Sequence, residues 1–263
     1  MTSRTLAAGA GALLAAATLL AGVARAEVEP DRPDTTNSVQ TVPPGAAQLE
    51  TGLEYARTRV AAEPVERRFA VQAALRAGLT DRLELRLEGE PLVRLRGVED
   101  DTNHGDLTVG VKYRFLETAP GKWWPALGVN PFVKIPLADE PIGTERVDFG
   151  LLALAGLDLP WKLSLDVNAG LTVVGQSRPN GHLPQALTSA SLSAELVEDL
   201  APFVEVALAS REERDGRDTL RLASGLVYRV TSAVAIDAAV ETGLVGRTPD
   251  YAVRAGVTVR FGR

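Results

Sequence analysis

The residues that could carry chemistry are few, and the first group of them surrounds His104. Asp100, Asp101 and Asp106 lie close to this histidine in the chain. A histidine beside carboxylates can activate water, and carboxylate oxygens are also ligands for Ca²⁺. The same cluster also fits a solvated acidic loop. His182 has no serine two residues away, so no lipase-like pair is indicated.

No other pattern in the chain indicates catalysis or a cofactor. Gly175 and Gly181 lack the spacing of a phosphate-binding loop. The chain has no cysteine, which excludes disulfides, thiolate metal sites and lipoprotein modification. We therefore expect no catalytic residue, no metal site and no cofactor. A net charge of −6 with interspersed acids and bases provides no basic surface for nucleic acid.

Charged residues recur at every second position within segments of about ten residues. Residues 83–88, for example, read Leu-Glu-Leu-Arg-Leu-Glu. Successive side chains of a strand point to opposite faces, so each such segment has one apolar face and one charged face. This alternation is typical of transmembrane β-barrels, in which lipid covers the outside.

The alternating segments predict an all-β fold, a membrane-spanning antiparallel up-and-down barrel of about 12 strands. Short turns alternate with longer linkers, as in outer-membrane barrels. A soluble β-sandwich is the alternative, with its apolar faces packed together. The predicted strands are 47–58, 68–78, 82–90, 105–116, 126–137, 148–158, 162–173, 187–197, 202–210, 219–229, 233–243 and 251–261.

The charged face of these strands supplies the residues expected to line the barrel interior. Arg or Lys at the middle of the lipid face would cost about 2–4 kcal/mol, and such charges are nearly absent from the apolar face. The predicted lumen-lining residues are Glu50, Glu54, Arg68, Arg76, Glu84, Arg86, Glu88, Lys112, Arg114, Asp166, Glu205, Arg221, Arg229, Asp237, Glu241, Arg254 and Arg260.

The interior charges permit two interpretations. Acids and bases are nearly balanced and alternate between neighbouring strands, so they can pair across the wall. They could form a porin-like polar conduit, or an ion-pair network that fills the lumen. Eight strands enclose a filled interior and sixteen an open channel, and twelve lie between these cases. We expect any pore to show weak ion selectivity, because fields of opposite sign cancel.

The chain divides into three predicted parts. Residues 1–26 resemble a secretion signal: Arg4 is basic, residues 6–23 are apolar, and residues 24–26 form an A-x-A cleavage site. Residues 27–45 are polar and rich in proline, which excludes a regular helix or central strand. This segment is a linker or a plug, and Asp31, Arg32 and Asp34 are its candidate contacts to lumen arginines. Residues 46–263 form the barrel.

The opening of the predicted mature chain resembles a known family. Residues 31–34, 41–45 and 48–50 carry the motif, and residues 105–107, 110–113, 131–136 and 157–171 resemble later sections. On these residues the chain is similar to the bacterial outer-membrane "transporter" proteins of the MetA-pathway of phenol degradation. The resemblance implies an outer-membrane barrel linked to uptake of aromatic or other hydrophobic compounds. Outer-membrane barrels usually end on an aromatic residue, whereas here Phe261 is followed by Gly262 and Arg263.

The sequence thus predicts a Gram-negative outer-membrane barrel for passive uptake of small hydrophobic or aromatic solutes. The expected partners are outer-membrane lipid, lipopolysaccharide, the solute and the barrel-assembly machinery, which would read Phe261. A closed structural or adhesive barrel without transport is the alternative. A third possibility, a barrel hydrolase that uses His104 and Asp106, is not favoured.

Overall fold

The computed structural model describes residues 27–59, 65–118, 123–176 and 180–262, so the expected signal peptide lies outside it. Within these ranges the chain forms thirteen strands and one turn of 3-10 helix, Pro160–Lys162. The strands are β1 Ala46–Thr58, β2 Glu66–Thr80, β3 Leu83–Arg96, β4 Asp101–Asn103, β5 Leu107–Leu116, β6 Ala126–Ile135, β7 Asp148–Leu159, β8 Leu163–Gln176, β9 Gly181–Ala194, β10 Leu200–Ala209, β11 Thr219–Thr231, β12 Val234–Val245 and β13 Tyr251–Gly262.

Twelve of these strands close into one antiparallel barrel. Each strand pairs with the next along the chain, except that β3 pairs with β5 past the short β4. The circle closes where β1 pairs with β13, from Ala46 opposite Gly262 to Arg57 opposite Tyr251. Closure leaves no unpaired edge among the twelve strands. The predicted fold class is therefore confirmed.

The two faces of the wall follow the alternation of the sequence. Glu84 on the inner face is fully buried, whereas Leu53 on the outer face is 51% exposed. This inversion of burial arises because lipid takes the place of a packed core around the outer face. Among the described residues, no helix is long and apolar enough to cross a membrane.

The structure departs from the predicted boundaries at two extracellular hairpins. β9 begins at Gly181 rather than at residue 187, because its pairing with β8 continues to Gln176 opposite Gly181. The expected long linker there is therefore short, and His182 lies in a strand rather than a loop. β3 extends to Arg96 and pairs with β4, which was not predicted.

Candidate functional site: the lumen and the N-terminal segment

The N-terminal segment (residues 27–45) enters the barrel and returns to the same end. Val28 donates from its backbone N to Ser232 O, 3.0 Å away, in the turn between β11 and β12. Gly45 donates to Gly78 O at 3.0 Å, near the short turn between β2 and β3 at the same end of the wall. Since both ends of the segment lie at the short turns, the residues between them reach farthest into the lumen.

Asp31 is surrounded by three cationic side chains of the wall. Its Oδ2 lies 2.8 Å from Lys112 Nζ and 3.4 Å from Arg76 Nη1, and it also accepts from Arg86 Nη1. The backbone N of Asp31 lies 3.2 Å from a carboxylate oxygen of Glu50. Burial raises the pKa of Asp31, but Arg76, Lys112 and Arg86 outweigh it and hold that pKa below its usual range. The carboxylate is therefore a charged link between segment and wall.

Arg32 extends to the part of the wall formed by β12, β13, β1 and β2. Its guanidinium lies 3.4 Å from Asp237 Oδ2, and Nη1 donates to Gln72 Oε1 at 2.8 Å. Two inward-facing glycines make room for it. A Cβ at Gly52 would lie 2.2 Å from Arg32 Nη2, and one at Gly256 would lie 2.6 Å from Arg32 Nε. Any side chain at these wall positions would occupy the space that the guanidinium fills.

The next residues of the segment bind polar side chains of β8 to β10. The backbone N of Thr35 and that of Thr36 donate to Glu205 Oε1 at 2.9 and 2.6 Å. Asn37 exchanges two hydrogen bonds with Asn168: its N donates to Oδ1, and its O accepts from Nδ2, both at 2.8 Å. The wall thus satisfies backbone groups that burial would otherwise leave unpaired.

The returning residues are fixed in the same way. Val42 N donates to Glu84 Oε2 at 2.7 Å, and Gln40 O accepts from Lys112 Nζ at 3.1 Å. Val39 is buried and packs in a small apolar cluster with Ala126 and Leu154. Polar and apolar contacts together hold the segment along its whole length.

The segment separates two cavities. The inner cavity, at the short-turn end, has a volume of about 690 Å³, and the outer one about 510 Å³. Arg32 and Asp34 line both cavities, so they lie in the partition between them. Phe203, Leu157 and Val39 give the inner cavity apolar surface beside its polar groups.

Carboxylates outnumber cationic groups around both cavities. The inner one is lined by seven acidic and four basic side chains, the outer one by seven acidic and three basic side chains.

Asp34 is the acidic residue that lines both cavities. Burial, then the neighbouring Glu205 and Asp31 charges, raise the pKa of Asp34 well above its usual value, against a lowering by a hydrogen bond with Ser191.

The structure places all seventeen predicted lumen residues on the inward-facing side of their strands. Six of them contact Asp31, its cationic partners or the backbone of Thr35: Glu50, Arg76, Glu84, Arg86, Lys112 and Glu205. A second group joins Arg254 to Glu54 and Glu241 at 2.8 Å each, with Arg68 and Arg221 beside them.

The remaining predicted residues contact the segment or another wall residue, or lie at the inner rim or the inner cavity. Arg114 binds Gln40, Asp237 binds Arg32, and Glu88 binds Arg86, whereas Arg260 donates to Gln48 at 3.1 Å. Arg229 lies at the inner rim, 2.7 Å from Glu27. Asp166 lines the inner cavity, and its carboxylate has no hydrogen bond or ion pair with another side chain in the described ranges.

Several contacting residues were not predicted. Asn37 and Gln40 hold the segment through their amide groups, which the search for charges passed over, whereas Asn168 was expected on the inner face but not as a partner of the segment. The inward-facing glycines were missed as well. Glycine inside a strand often marks the close approach of another backbone. Gly78 is an example, since a Cβ there would lie 2.1 Å from Pro43 O.

The cluster around His104 serves a structural role in the outer mouth. Asp106 Oδ1 accepts from the backbone N of Leu137 and of Ala138 at 3.0 Å each, and its Oδ2 lies 3.2 Å from Lys134 Nζ. These bonds fold the loop after β6 towards the lumen. Within the described part of the chain, no group of three histidine or acidic residues could hold a metal ion.

Comparison with known proteins gives the fold and the family. No curated protein matches the chain. The COG4313 outer membrane channel from Pseudomonas putida F1 is 14% identical, with a TM-score of 0.71 over 89% of this chain and 100% of that one. The beta domain of the Bordetella autotransporter Brka is 10% identical, with a TM-score of 0.54 over 82% and 100%. The NanC porin is 12% identical, with a TM-score of 0.53 over 81% and 98%.

These likenesses confirm the barrel fold, and the predicted outer-membrane location agrees with them. The neighbours described as channels and porins are not enzymes. The resemblance noted in the sequence is confirmed over almost the whole predicted mature chain. The family model described as "Putative MetA-pathway of phenol degradation" matches residues 30–261, so the chain belongs to this family of bacterial outer-membrane β-barrels.

Proposed function

We propose that the protein is an outer-membrane channel for passive entry of small hydrophobic or aromatic solutes, closed at rest by the N-terminal segment. One observation carries this proposal. The segment crosses the lumen and separates two cavities, each of which opens towards one side of the membrane. A channel with a folded plug would have this arrangement.

The cavities suit small solutes. Small-molecule sites usually enclose roughly 300–1,000 Å³ and combine apolar walls with a few polar groups. Both cavities fall within this range, and the inner one combines Phe203 and Leu157 with Ser191 and Ser193. A phenol-like molecule could stack on the ring of Phe203 and donate a hydrogen bond from its hydroxyl group to a carboxylate of the cavity. The family description, which refers to phenol degradation, supports this class of solute.

Opening would require the N-terminal segment to leave its binding position in the lumen while the barrel wall stays intact. Gly45 joins the segment to β1 and has a φ of 74°, a left-handed conformation that glycine adopts at little cost. Movement about this joint would break the contacts of Asp31 and Arg32 but none of the strand pairing. The contacts that bind the segment therefore control the proposed pore.

The test is deletion of residues 27–44 from the mature protein. We expect the deletion variant to remain folded, to conduct ions in planar bilayers more strongly than the intact protein, and to admit phenol faster into liposomes. Heat-modifiable migration in gels would verify folding. A folded deletion variant without conductance or phenol uptake would contradict the proposal.

The same experiment separates the channel from a closed structural barrel. The buried ion pairs around Asp31 favour that second candidate, because they fix the segment firmly in the lumen. A structural barrel would show little conductance with the segment and, if side chains fill the rest of the lumen, little without it. We propose no catalytic role, and assign Asp106 to loop folding instead.

A further inference from the structure

Four arginines lie on the outer surface of the barrel, next to one another on β1, β2 and β3. Arg57 lies opposite Arg67, and Arg67 lies opposite Arg96, so these three form one row across the strands. Arg94 lies one step lower, opposite Phe69. We name these four residues the outer arginine row. Side chains opposite each other on one face are about 5 Å apart at Cβ, so the row forms a continuous cationic patch.

A β-bulge in β3 turns two of these arginines outward. Gly89 lies opposite Ala73 and Leu92 opposite Val71, so two residues of β3, Glu90 and Pro91, face one residue of β2. Before the bulge, even-numbered residues of β3 face the lumen. After it they face outward, and Arg94 and Arg96 therefore join Arg67. An unbroken strand would have directed both into the lumen.

The height of the row corresponds to the outer edge of the lipid. Arg57 is ten residues beyond Ala47 on the same strand, which gives roughly 26 Å across the membrane at a rise of about 3.4 Å and a tilt of about 40°. The apolar band of such barrels is about 25 Å tall. Tyr55 and Phe69 lie one row below, at the position of an aromatic girdle. The row therefore lies beside lipid headgroups of the extracellular leaflet.

The charges of the row are only partly neutralised by the protein. Arg57 lies 3.6 Å from Asp250, and Arg96 lies 3.7 Å from the exposed Asp100. Arg67 and Arg94 are exposed, and neither forms an ion pair with another residue in the described ranges. Cationic groups without carboxylate partners at a membrane surface indicate an external anion. Guanidinium groups bind phosphate through two parallel hydrogen bonds, with defined geometry.

We propose that the outer arginine row binds the phosphate groups of lipopolysaccharide in the outer leaflet. The phosphates would contact Arg67, Arg94 and Arg96, and the acyl chains would lie against Phe69, Val71 and Leu92 below them. The geometry thus combines charged and apolar contacts within one lipid site on the wall. This site is independent of transport through the lumen.

The experiment measures binding of purified deep-rough lipopolysaccharide to the folded protein in detergent by native mass spectrometry. The test variant carries Arg67→Gln, Arg94→Gln and Arg96→Gln. The control carries Arg211→Gln, Arg214→Gln and Arg217→Gln, three arginines of an outer loop, so both lose the same charge. A basic residue near an anionic surface contributes about a factor of five, so we expect roughly 100-fold weaker binding for the test variant and no comparable loss for the control.

Two further arms identify the ligand chemistry. Dephosphorylated lipid A should bind the intact protein as weakly as the test variant binds the phosphorylated lipid. Inorganic phosphate at millimolar concentration should not displace the lipid, because it lacks the acyl contacts. Equal binding by the test variant and the intact protein would overturn the proposal. Equal losses in both triple variants would also overturn it, since they would show nonspecific attraction.

Discussion

The Nζ atom of Lys112 lies 2.8 Å from Oδ2 of Asp31, and this contact joins the middle of wall strand β5 to the N-terminal segment. Both side chains are buried, with Lys112 fully excluded from solvent. Arg76 and Arg86 bind the same carboxylate. Removal of one partner from a buried ion pair costs about 3–5 kcal/mol, because a buried charge is left uncompensated. Asp31 is therefore the residue whose loss should most weaken the binding of the N-terminal segment in the lumen.

We expect Asp31→Asn to release the segment and raise the conductance of the folded protein. The amide keeps the shape of the side chain but leaves three cations without their shared anion. The fraction of time spent open should rise at least 100-fold if the loss is about 3–5 kcal/mol. Single-channel recording measures this fraction. Glu27→Gln is the control, since Glu27 forms an exposed pair with Arg229 that is worth little. An unchanged open fraction in Asp31→Asn would contradict the assignment.

Gly78→Ala should displace the returning part of the segment without altering the wall. The three atoms nearest to an added Cβ all belong to Val42 and Pro43, at 2.1 to 2.6 Å. These are backbone atoms, so the segment must shift. Hydrogen exchange of residues 28–44 should become faster in this variant, because bonds such as Val42 N to Glu84 would open. Gly89→Ala is the matched control, as its neighbours belong to the wall. Equal exchange in both variants would show that the segment is held elsewhere.

The fold could be predicted because each strand carries its own signal. The alternation of Leu and Glu or Arg in β3 defines which face meets lipid, independently of any distant contact. The bulge at Glu90 and Pro91 could not be predicted with the same rule, since a single extra residue reverses the faces. The direction of Arg94 depends on pairing with β2, which the local pattern does not contain.

The site was less predictable than the wall, because charge patterns do not reveal partners. Asp31 and the lumen arginines could be proposed as contacts, but nothing in the sequence indicated that Lys112, Arg76 and Arg86 converge on one carboxylate. The two hydrogen bonds between the Asn37 backbone and the Asn168 side chain join residues far apart in the chain. Such pairs exist only once the barrel has closed around the segment.

A pair of adjacent substitutions tests the orientation of β3. Leu85→Arg places a charge on the lipid face, which costs about 2–4 kcal/mol near the bilayer middle, and should strongly reduce assembly. Arg86→Leu should assemble, since its side chain faces the lumen, but should loosen the segment by removing a partner of Asp31. Heat-modifiable migration reports assembly, and conductance reports the segment. Equal assembly of both variants would contradict the orientation.

Ion selectivity should change when the segment is removed. In the intact protein carboxylates outnumber cations around both cavities, so open events should favour cations modestly, instead of the weak selectivity expected from the balanced sequence. Deletion of residues 27–44 removes Asp31 and exposes Arg76, Arg86 and Lys112. The reversal potential in a salt gradient should therefore shift towards anion preference. A shift towards cations, or none, would show that these wall charges do not face the ion path.

Mild acid should strengthen the binding of the N-terminal segment in the lumen, because it protonates Asp34. Burial, followed by the charges of Glu205 and Asp31, raises the pKa of Asp34 well above its unfolded value. A raised carboxyl pKa means that Asp34 binds the proton more tightly when the segment is bound in the lumen than when it is released. The stabilisation of the bound segment by protonated Asp34 is thus complete below the unfolded pKa of 3.8. It is lost as the pH rises through the raised pKa of the bound form.

The open fraction should accordingly fall as the pH is lowered through the raised pKa of Asp34 towards 3.8. Burial also raises the pKa of Glu29, which acts in the same direction. Asp34→Asn mimics the protonated form and should give a low open fraction throughout, with a smaller pH dependence due to Glu29. Glu27→Gln at the exposed rim should retain the full dependence. The measurement is single-channel recording across this pH range. An open fraction that rises on acidification, or an Asp34→Asn variant that keeps the full dependence, would exclude Asp34 as the titrating group.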